Sequence, residues 1–337
     1  MAIHEYTPRR PTRRAFVASA TATLAAPWLV RAASAAKPVI NVTLPTPGSA
    51  GSIWRAAVSL LPQTAVLPFD INWVIADPGQ MQVQLTAGAL DVGVFGAVGL
   101  AALADKRSGI TLFGPGLNNH GRIVVRADSP YQKPADLIGK RIATQPKTTE
   151  TYQQARVALS MIGVDLNKDV EVIFGPPTAN LALFDRGDVE AVIVVEPTAT
   201  RAIGNGAREL ARISDIWKQG SGLPGDPFLV GLAAKQGWLD ANRQHASALA
   251  RLFADANTTL RKDPQLFVKY ASEMGIRPNE AAAANLLPTR LADVYPSAWD
   301  ETVWAVIDRQ VEVAVKLGLL TAAPKRRLYD GVALGAA

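Results

Sequence analysis

The order of apolar and polar residues along the chain predicts an α/β fold. Short apolar runs that are rich in β-branched residues and bounded by glycine or proline predict buried strands. Segments with apolar residues at helical spacing lie between these runs. After residue 241 the pattern is helical throughout. The residues that separate its helices are Gly275, Pro278, Pro288, Pro296 and Gly318.

The stretch from Leu181 to Ala202 predicts a helix end, a turn, a buried strand and then a carboxylate. Its strand, residues 189–195, is apolar on both faces, which is typical of a strand inside a parallel sheet. Ligands of such sheets bind beyond the carboxyl ends of the strands, and this end carries Glu196 followed by Pro197. We therefore expect Glu196 to face a binding site. The alternative is that it only caps the following turn.

The same pattern occurs once earlier in the chain. Residues 85–97 align without a gap on residues 184–196 when Gly88 is placed on Gly187. Two copies of one helix–turn–strand unit predict two lobes of similar build, each offering a strand end to a shared cleft. Chance similarity between two βα units is the alternative.

Two loops with small and hydroxyl residues precede predicted helices. The residues concerned are Gly48, Ser49 and Ser52 before one helix and Thr148, Thr149 and Thr151 before another. Free N–H groups and the positive end of the helix dipole make a helix N-terminus suitable for an anion. Ordinary N-capping is the alternative at both places.

Residues 1–35 predict a signal peptide rather than part of the fold. Arg13 and Arg14 precede a weak apolar run that Pro27 interrupts, and Ala33-Ser34-Ala35 fits a cleavage site. The arginine pair and the weak core are typical of a twin-arginine export signal. A membrane anchor is the alternative, but the run is shorter than the ~20 apolar residues that a bilayer requires. We expect a periplasmic protein.

Composition narrows the possible functions. The chain has no cysteine, so a disulfide framework, a thiolate metal site and a lipid anchor on cysteine are all excluded. The leader holds five arginines and one glutamate, so without it the formal charge falls from +6 to about +2. This balance gives no indication of nucleic-acid binding. Beyond the leader the only histidines are His120 and His245, and no catalytic motif is present, so we expect no metal, no cofactor and no catalytic residue.

Three stretches resemble the nitrate, sulfonate and taurine group of periplasmic solute-binding proteins that serve ABC importers, within the thiamine-pyrimidine-synthase-like superfamily. They are PGQMQVQLTAGALDVGVFG (78–96), ADLIGKRIAT (135–144) and DVEAVIVVEP (188–197). The resemblance extends over most of residues 38–260. It implies the two-lobed periplasmic binding protein fold of type II, with two crossing strands as the hinge and the C-terminal helices on lobe one.

The resemblance also implies how the chain is divided and what it does. We expect residues 36–118 and 229–337 to form lobe one and residues 119–228 to form lobe two, hinged near Asn118–Gly121 and Gly225–Phe228. A monomer of this kind would capture a small anionic or zwitterionic solute, similar to a sulfonate, taurine or nitrate, by hinge closure. Its partner would be an ABC transporter permease in the inner membrane.

By position, the resemblance places a set of residues around the cleft. They are Gly48, Ser49, Ser52, Gly79, Gln80, Gly96, Ala97, Asn119, His120, Thr148, Thr149, Thr151, Glu196, Asp226 and Phe228. None of them is an arginine that could bind a sulfonate bidentately, whereas Glu196 favours a ligand with an amine or hydroxyl. The alternatives are a sensory binding subunit or an enzyme on the same fold, either a pyrimidine synthase or a desulfinase. The resemblance to those enzymes requires an active-site cysteine, which this chain lacks.

We predict that export requires both Arg13 and Arg14. Changing both residues to lysine should leave precursor in the cytoplasm, because the twin-arginine machinery reads the arginine pair. Immunoblots of cytoplasmic and periplasmic fractions measure this. Undiminished periplasmic protein from the double variant would remove the twin-arginine interpretation.

Overall fold

The computed structural model describes residues 36–104, 109–223 and 226–331. The proposed signal peptide and Gly225 of the expected hinge lie outside these residues. The strands are β1 Val39–Pro45, β2 Asp70–Ala76, β3 Gly93–Phe95, β4 Ile110–Asn118, β5 Gly121–Arg126, β6 Arg141–Thr144, β7 Glu171–Phe174, β8 Ala191–Val195, β9 Ala207–Arg212 and β10 Phe228–Lys235. The helices are α1 Trp54–Ser59, α2 Pro78–Ala87, α3 Ala97–Ala104, α4 Glu150–Met161, α5 Pro177–Asp185, α6 Thr198–Gly204, α7 Ile213–Ser221, α8 Gln236–Ala241, α9 Arg243–Lys262, α10 Gln265–Lys269, α11 Ala281–Arg290 and α12 Glu301–Lys316.

Two sheets of matching strand order form the two lobes. In lobe two the order is β7-β6-β8-β5-β9. In lobe one, β2-β1 and β3-β10-β4 are joined by a parallel bridge between Val42 and Val92, which gives the order β2-β1-β3-β10-β4. The two-lobed α/β architecture expected from the sequence is therefore confirmed. The expected boundaries between the lobes stay a prediction.

The repeated unit has the same local structure in both lobes. Gly88 follows α2 with φ +83°, and Gly187 follows α5 with φ +81°. Glycine adopts this left-handed conformation without the steric cost of a Cβ, so it ends the helix and turns the chain into the next strand. The expectation of a parallel sheet around β8 is correct on one side only. Strand β6 is parallel to β8, but β5 is antiparallel because it enters the sheet directly from the crossing between lobes.

The chain crosses between the lobes at two adjacent segments. The first crossing runs from β4 to β5, and the second leads into β10. They are held together by a hydrogen bond from the Asn119 N–H to the Pro227 carbonyl, 2.7 Å, and by pairing of Phe228 with Asn118. Both crossings therefore lie side by side at one edge of the interface between the lobes.

The C-terminal helices belong to the core of lobe one, as expected. Phe253, Leu287 and Ile307, from α9, α11 and α12, are fully buried in one cluster with residues of the lobe-one sheet. The last helices also contact lobe two. An apolar cluster joins Val98 of α3 with Val157 of α4, Trp217 of α7, and Val313 and Ala314 of α12. The C-terminal region thus packs against both lobes. Within the described residues, no helix combines the length and apolar character that crossing a membrane requires.

The carboxylate of Glu196, at the end of β8, is fully buried and joins α11 to lobe two. Its Oε1 accepts hydrogen bonds from Arg290 Nε at 2.9 Å and Nη2 at 2.6 Å. Its Oε2 accepts from the Thr200 N–H at 2.9 Å and from Thr200 Oγ1 at 2.6 Å. The Arg122 Nε lies 3.4 Å from Oε1. These protein partners hold both carboxylate oxygens.

We predict that Glu196→Gln lowers the free energy of unfolding by about 2 kcal/mol, because Arg290 and Arg122 each lose one of their two carboxylate partners and keep only Glu209. Urea denaturation of the variant and of the parent protein measures the difference. The matched control is Glu171→Gln, which removes one charge from an exposed ion pair with Arg141 and should change stability by less than about 0.5 kcal/mol. Equal losses in the two variants would contradict the structural role of Glu196.

Candidate functional site

A small cavity of about 50 Å³ lies between the two lobes and is lined by both. One enclosed water needs roughly 10–15 Å³ by this measure, so the cavity has room for several water-sized groups. Apolar side chains form much of its wall. The polar residues that line it are Thr43, Ser49, Gln82, His120, Gln145, Thr149, Glu150 and Thr151. The residues of both lobes therefore enclose one site.

The polar lining comes from strand ends and helix starts. Thr43 lies in β1 near its carboxyl end, and Gln145 directly follows β6. Thr149 is the N-cap of α4, where its hydroxyl accepts from the Tyr152 N–H at 3.5 Å and donates to the Pro146 carbonyl at 2.8 Å. Carboxyl ends of parallel strands and N-termini of the following helices meet at one edge of such a sheet. This is why these polar groups converge on the cavity.

Three polar atoms in the lining have no hydrogen-bond partner. They are Thr43 Oγ1, His120 Nε2 and Gln145 Oε1, and the residues that carry them are 1%, 1% and 2% exposed. Buried polar groups in folded proteins are nearly always paired with protein or water, because an unpaired one is costly. Three such atoms around a single cavity therefore indicate a polar occupant.

The protonation state of His120 follows from its surroundings. Its Nδ1 lies 2.7 Å from the Asn118 carbonyl oxygen, and since a carbonyl only accepts, Nδ1 carries a proton and donates it. Burial lowers the pKa of His120 to about 4; the hydrogen bond to Asn118 opposes this shift and the nearby charge of Arg122 adds to it. The ring is therefore neutral at neutral pH. Its Nε2 is an acceptor without a partner in the protein, on a residue that lines the cavity.

Glu150, the first residue of α4, reaches across to lobe one. Its Oε1 accepts from the Gly99 N–H, in the first turn of α3, at 2.5 Å, and its Oε2 accepts from Gln154 Nε2 at 3.3 Å. Burial raises the pKa of Glu150 to about 7, and the two hydrogen bonds oppose that shift. A carboxylate at a helix N-terminus is stabilised by the free N–H groups and by the dipole. Glu150 thus occupies, from lobe two, the anion position at the start of α3.

Buried amides continue this contact through the molecule. Gln154 Oε1 accepts from Gln310 Nε2 of α12 at 3.0 Å, and the same Nε2 donates to the Phe228 carbonyl of β10 at 2.8 Å. Hydrogen bonds therefore connect Gly99, Glu150, Gln154, Gln310 and Phe228 in series. This series links the start of α3, the start of α4, the C-terminal helix and the second crossing.

Two glycines make room for Glu150. A Cβ on Gly96 would lie 2.1 Å from Glu150 Cγ and 2.3 Å from the Leu229 carbonyl oxygen. A Cβ on Gly99 would lie 2.6 Å from Glu150 Oε1, and its other near neighbours are also in lobe two. Both distances are shorter than a Cβ tolerates. The closed arrangement therefore requires glycine at Gly96, where backbone also blocks a Cβ, whereas a Cβ at Gly99 would displace the Glu150 carboxylate.

The structure brings some of the sequence-predicted site residues together and not others. Ser49, His120, Thr149 and Thr151 line the cavity. Three further residues make contacts between the lobes or between the crossings. The Gly48 carbonyl accepts from Thr198 Oγ1 at 2.8 Å, Gly96 packs against Glu150, and the Asn119 N–H donates to the Pro227 carbonyl. Ala97 is buried at the start of α3. Whether these residues bind a ligand stays a prediction.

The remaining predicted residues lie outside the lining, and those other than the exposed Thr148 are engaged by other protein groups. Ser52 Oγ donates to the Ser49 carbonyl, and the N–H groups of Gly79 and Gln80 are capped by Asp77. Thr148 is exposed. The Asp226 carboxylate pairs with Lys218 at 2.7 Å, the Phe228 carbonyl binds Gln310, and Glu196 is held by Arg290 and Thr200.

Sequence reasoning missed Thr43, Gln82, Gln145 and Glu150. Gln145 directly follows a strand, so the rule that selected Glu196 would have found it. Gln82 lies on the buried face of α2 with Met81 and Leu85, and helical spacing distinguishes it from the exposed Gln80. No group of three or more His, Asp or Glu side chains that could hold a metal ion occurs in the part of the chain that the structure describes.

Known proteins with similar sequence and structure point to one family. The taurine-binding periplasmic protein of Escherichia coli (strain K12) is 27% identical over 202 residues, which cover 59% of this chain and 60% of the length of that relative. The alkanesulfonate-binding protein of Xanthomonas axonopodis pv. citri, bound to MOPS, superposes with a TM-score of 0.69 at 20% identity, covering 88% of this chain and 97% of the other. The periplasmic aliphatic sulphonate binding protein of Escherichia coli gives a TM-score of 0.65 at 19% identity, with 87% and 92% covered.

At these identities the two solved structures establish the fold alone. The family is assigned by a match to a family model instead. The model of the ABC transporter phosphonate periplasmic substrate-binding proteins matches residues 63–278, which is more than half of the chain. The chain belongs to this family of periplasmic substrate-binding proteins of ABC transporters.

Proposed function

We propose that the protein is the extracytoplasmic solute-binding subunit of an ABC importer. It captures a small anionic or zwitterionic solute, similar to a sulfonate, taurine, phosphonate or nitrate, by closing two lobes on it. The observation that carries this proposal is the cavity between the lobes, in which three buried polar atoms have no partner. Membership of a periplasmic substrate-binding family supports it.

The start of α4 is the position best suited to the acidic group of the solute. Thr149 and Thr151 line the cavity there, and the free N–H groups and dipole at a helix N-terminus favour an anion. The equivalent position at α3 is already filled by Glu150. Glu150 therefore leaves the start of α4, rather than that of α3, to an acidic group of the solute.

Closure depends on contacts that exist only when the lobes meet. These contacts are the Gly99 to Glu150 hydrogen bond, the Thr198 to Gly48 hydrogen bond and the bridge between Ser49 and Pro197. A ligand that touches both lobes adds to these contacts and shifts the population toward the closed state. The permease in the inner membrane then receives the closed form from the periplasmic monomer.

Two other functions fit the fold. An enzyme of the pyrimidine synthase or desulfinase type resembles this fold but uses an active-site cysteine, and the chain has none, so we propose that the protein is not an enzyme. A sensory subunit would bind solute in the same cavity and present its closed form to a membrane receptor. The two functions can be separated by genomic context, since an importer subunit should be encoded in one operon with a permease.

We predict that the mature protein, residues 36–337, binds at least one member of a panel of sulfonates, aminosulfonates, phosphonates, aminophosphonates and nitrate. At a concentration of about 100 times its Kd, the ligand should stabilise the fold by ~2.7 kcal/mol. Thermal-shift measurements followed by calorimetric titration identify the ligand. Small-angle scattering should then show the molecule contract. No binding by any member of the panel would refute the proposed function.

We predict that Gly99→Ala weakens binding of the identified ligand by at least about tenfold while preserving the fold. The new methyl group meets only residues of lobe two, so it obstructs closure, and alanine is the better helix former within α3. Calorimetric titration measures affinity, and urea denaturation measures stability. The matched control is Gly237→Ala in α8, where a Cβ has open space around it. Unchanged affinity in Gly99→Ala would show that closure does not use this contact.

A further inference from the structure

We propose that the solute carries a primary ammonium group, which donates hydrogen bonds to Thr43 Oγ1, His120 Nε2 and Gln145 Oε1. This inference rests on the proposed function and specifies the class of solute. Among sulfonates and phosphonates it selects the amino derivatives. The subsite consists of the three buried atoms in the cavity that have no partner in the protein.

The first argument is the direction of the hydrogen bonds. Because Nδ1 of His120 donates to the Asn118 carbonyl, Nε2 of the neutral ring only accepts. A sulfonate, a phosphonate dianion or a nitrate carries acceptors alone and has no proton to give to this atom. An ammonium group has three donors, which is the number of unpartnered atoms around the cavity.

The second argument is charge. None of the described residues that line the cavity is a lysine or arginine. Apart from His120, the ionisable side chain among these residues is that of Glu150, an acid. A fully anionic solute would enter a low-dielectric site with no positive side chain and with a carboxylate nearby. A zwitterion brings its own positive charge and therefore adds no net charge to this site.

An anion without an O–H group could bond to His120 Nε2 only if the ring were protonated. Burial opposes that protonation, since it lowers the pKa of His120 to about 4, and the charge of Arg122 opposes it further. The geometry and the charge of the cavity therefore favour the same class of solute.

Two matched pairs of ligands test the inference by calorimetric titration of the mature protein. Taurine is compared with ethanesulfonate, and 2-aminoethylphosphonate is compared with ethylphosphonate; the members of each pair differ in the amine alone. In the pair that binds, we expect the amine to tighten binding at least about tenfold, the effect of a hydrogen bond to a charged group. An ethanesulfonate or ethylphosphonate affinity equal to or above that of its amino partner would overturn the inference and leave the proposed function standing.

A variant separates recognition from folding. Thr43→Val should reduce the affinity for the amino ligand about tenfold while the affinity for its amine-free partner stays within about twofold. It should not lower the Tm of the ligand-free protein, because Thr43 Oγ1 makes no hydrogen bond within the protein. The exposed Thr321, changed to valine, serves as the control and should alter neither affinity. Equal losses for both members of a pair in Thr43→Val would overturn the inference.

The outcome of the wider panel also distinguishes the two proposals. Binding of nitrate or of amine-free sulfonates and phosphonates, with no binding of any amino derivative, would refute the ammonium subsite and retain the solute-binding function. Absence of binding throughout the panel would refute the proposed function and the inference together.

Discussion

The closed arrangement depends on one buried carboxylate placed against the other lobe. Glu150 belongs to α4 of lobe two, yet its Oε1 binds the Gly99 N–H of α3 in lobe one at 2.5 Å. Removing a carboxylate from water is costly unless hydrogen bonds replace the lost hydration. The start of α3 and Gln154 offset this cost in part, since burial still raises the pKa of Glu150 to about 7, and Gly96 and Gly99 supply the space. The cavity, the crossings and α12 all lie around this contact.

Glu196, like Glu150, is a buried glutamate of lobe two, but its partner is an arginine instead of a helix N-terminus. It ends β8 at the edge of the sheet, as Gln145 follows β6, but Arg290 from the C-terminal region neutralises it. An arginine held by Glu196 and Glu209 ties α11 to lobe two. The C-terminal helices are thus more than a cover for the core of lobe one, because α11 and α12 each contact both lobes.

The features that local pattern determines were predictable from the sequence. The repeated glycine at the end of a helix and the strand after it depend on neighbours within about a dozen residues. The same holds for the threonines at the start of α4. The two-lobed build followed because the helix–turn–strand unit occurs twice, at residues 85–97 and 184–196. These patterns selected Ser49, Thr149 and Thr151, which line the cavity, and the resemblance added His120.

The features that were missed depend on pairs that are distant in sequence. Arg290 is 94 residues from Glu196, and Gly99 is 51 residues from Glu150. No local pattern shows that one carboxylate already has a partner or that another fills a helix start in the opposite lobe. Gln80 and Gln82 differ only in which face of α2 they occupy, which the exact register of the helix decides.

The apolar cluster that joins Val98, Val157, Trp217, Val313 and Ala314 across the lobes has a consequence for rates. A solute enclosed in the cavity leaves only after the lobes separate, and separation breaks the Gly99 to Glu150 hydrogen bond and wets this cluster. The dissociation rate therefore depends on how often the protein opens, and these contacts between the lobes set that frequency together with the contacts of the solute. Substitutions in the cluster, far from the solute, would change residence time without changing which solute is chosen.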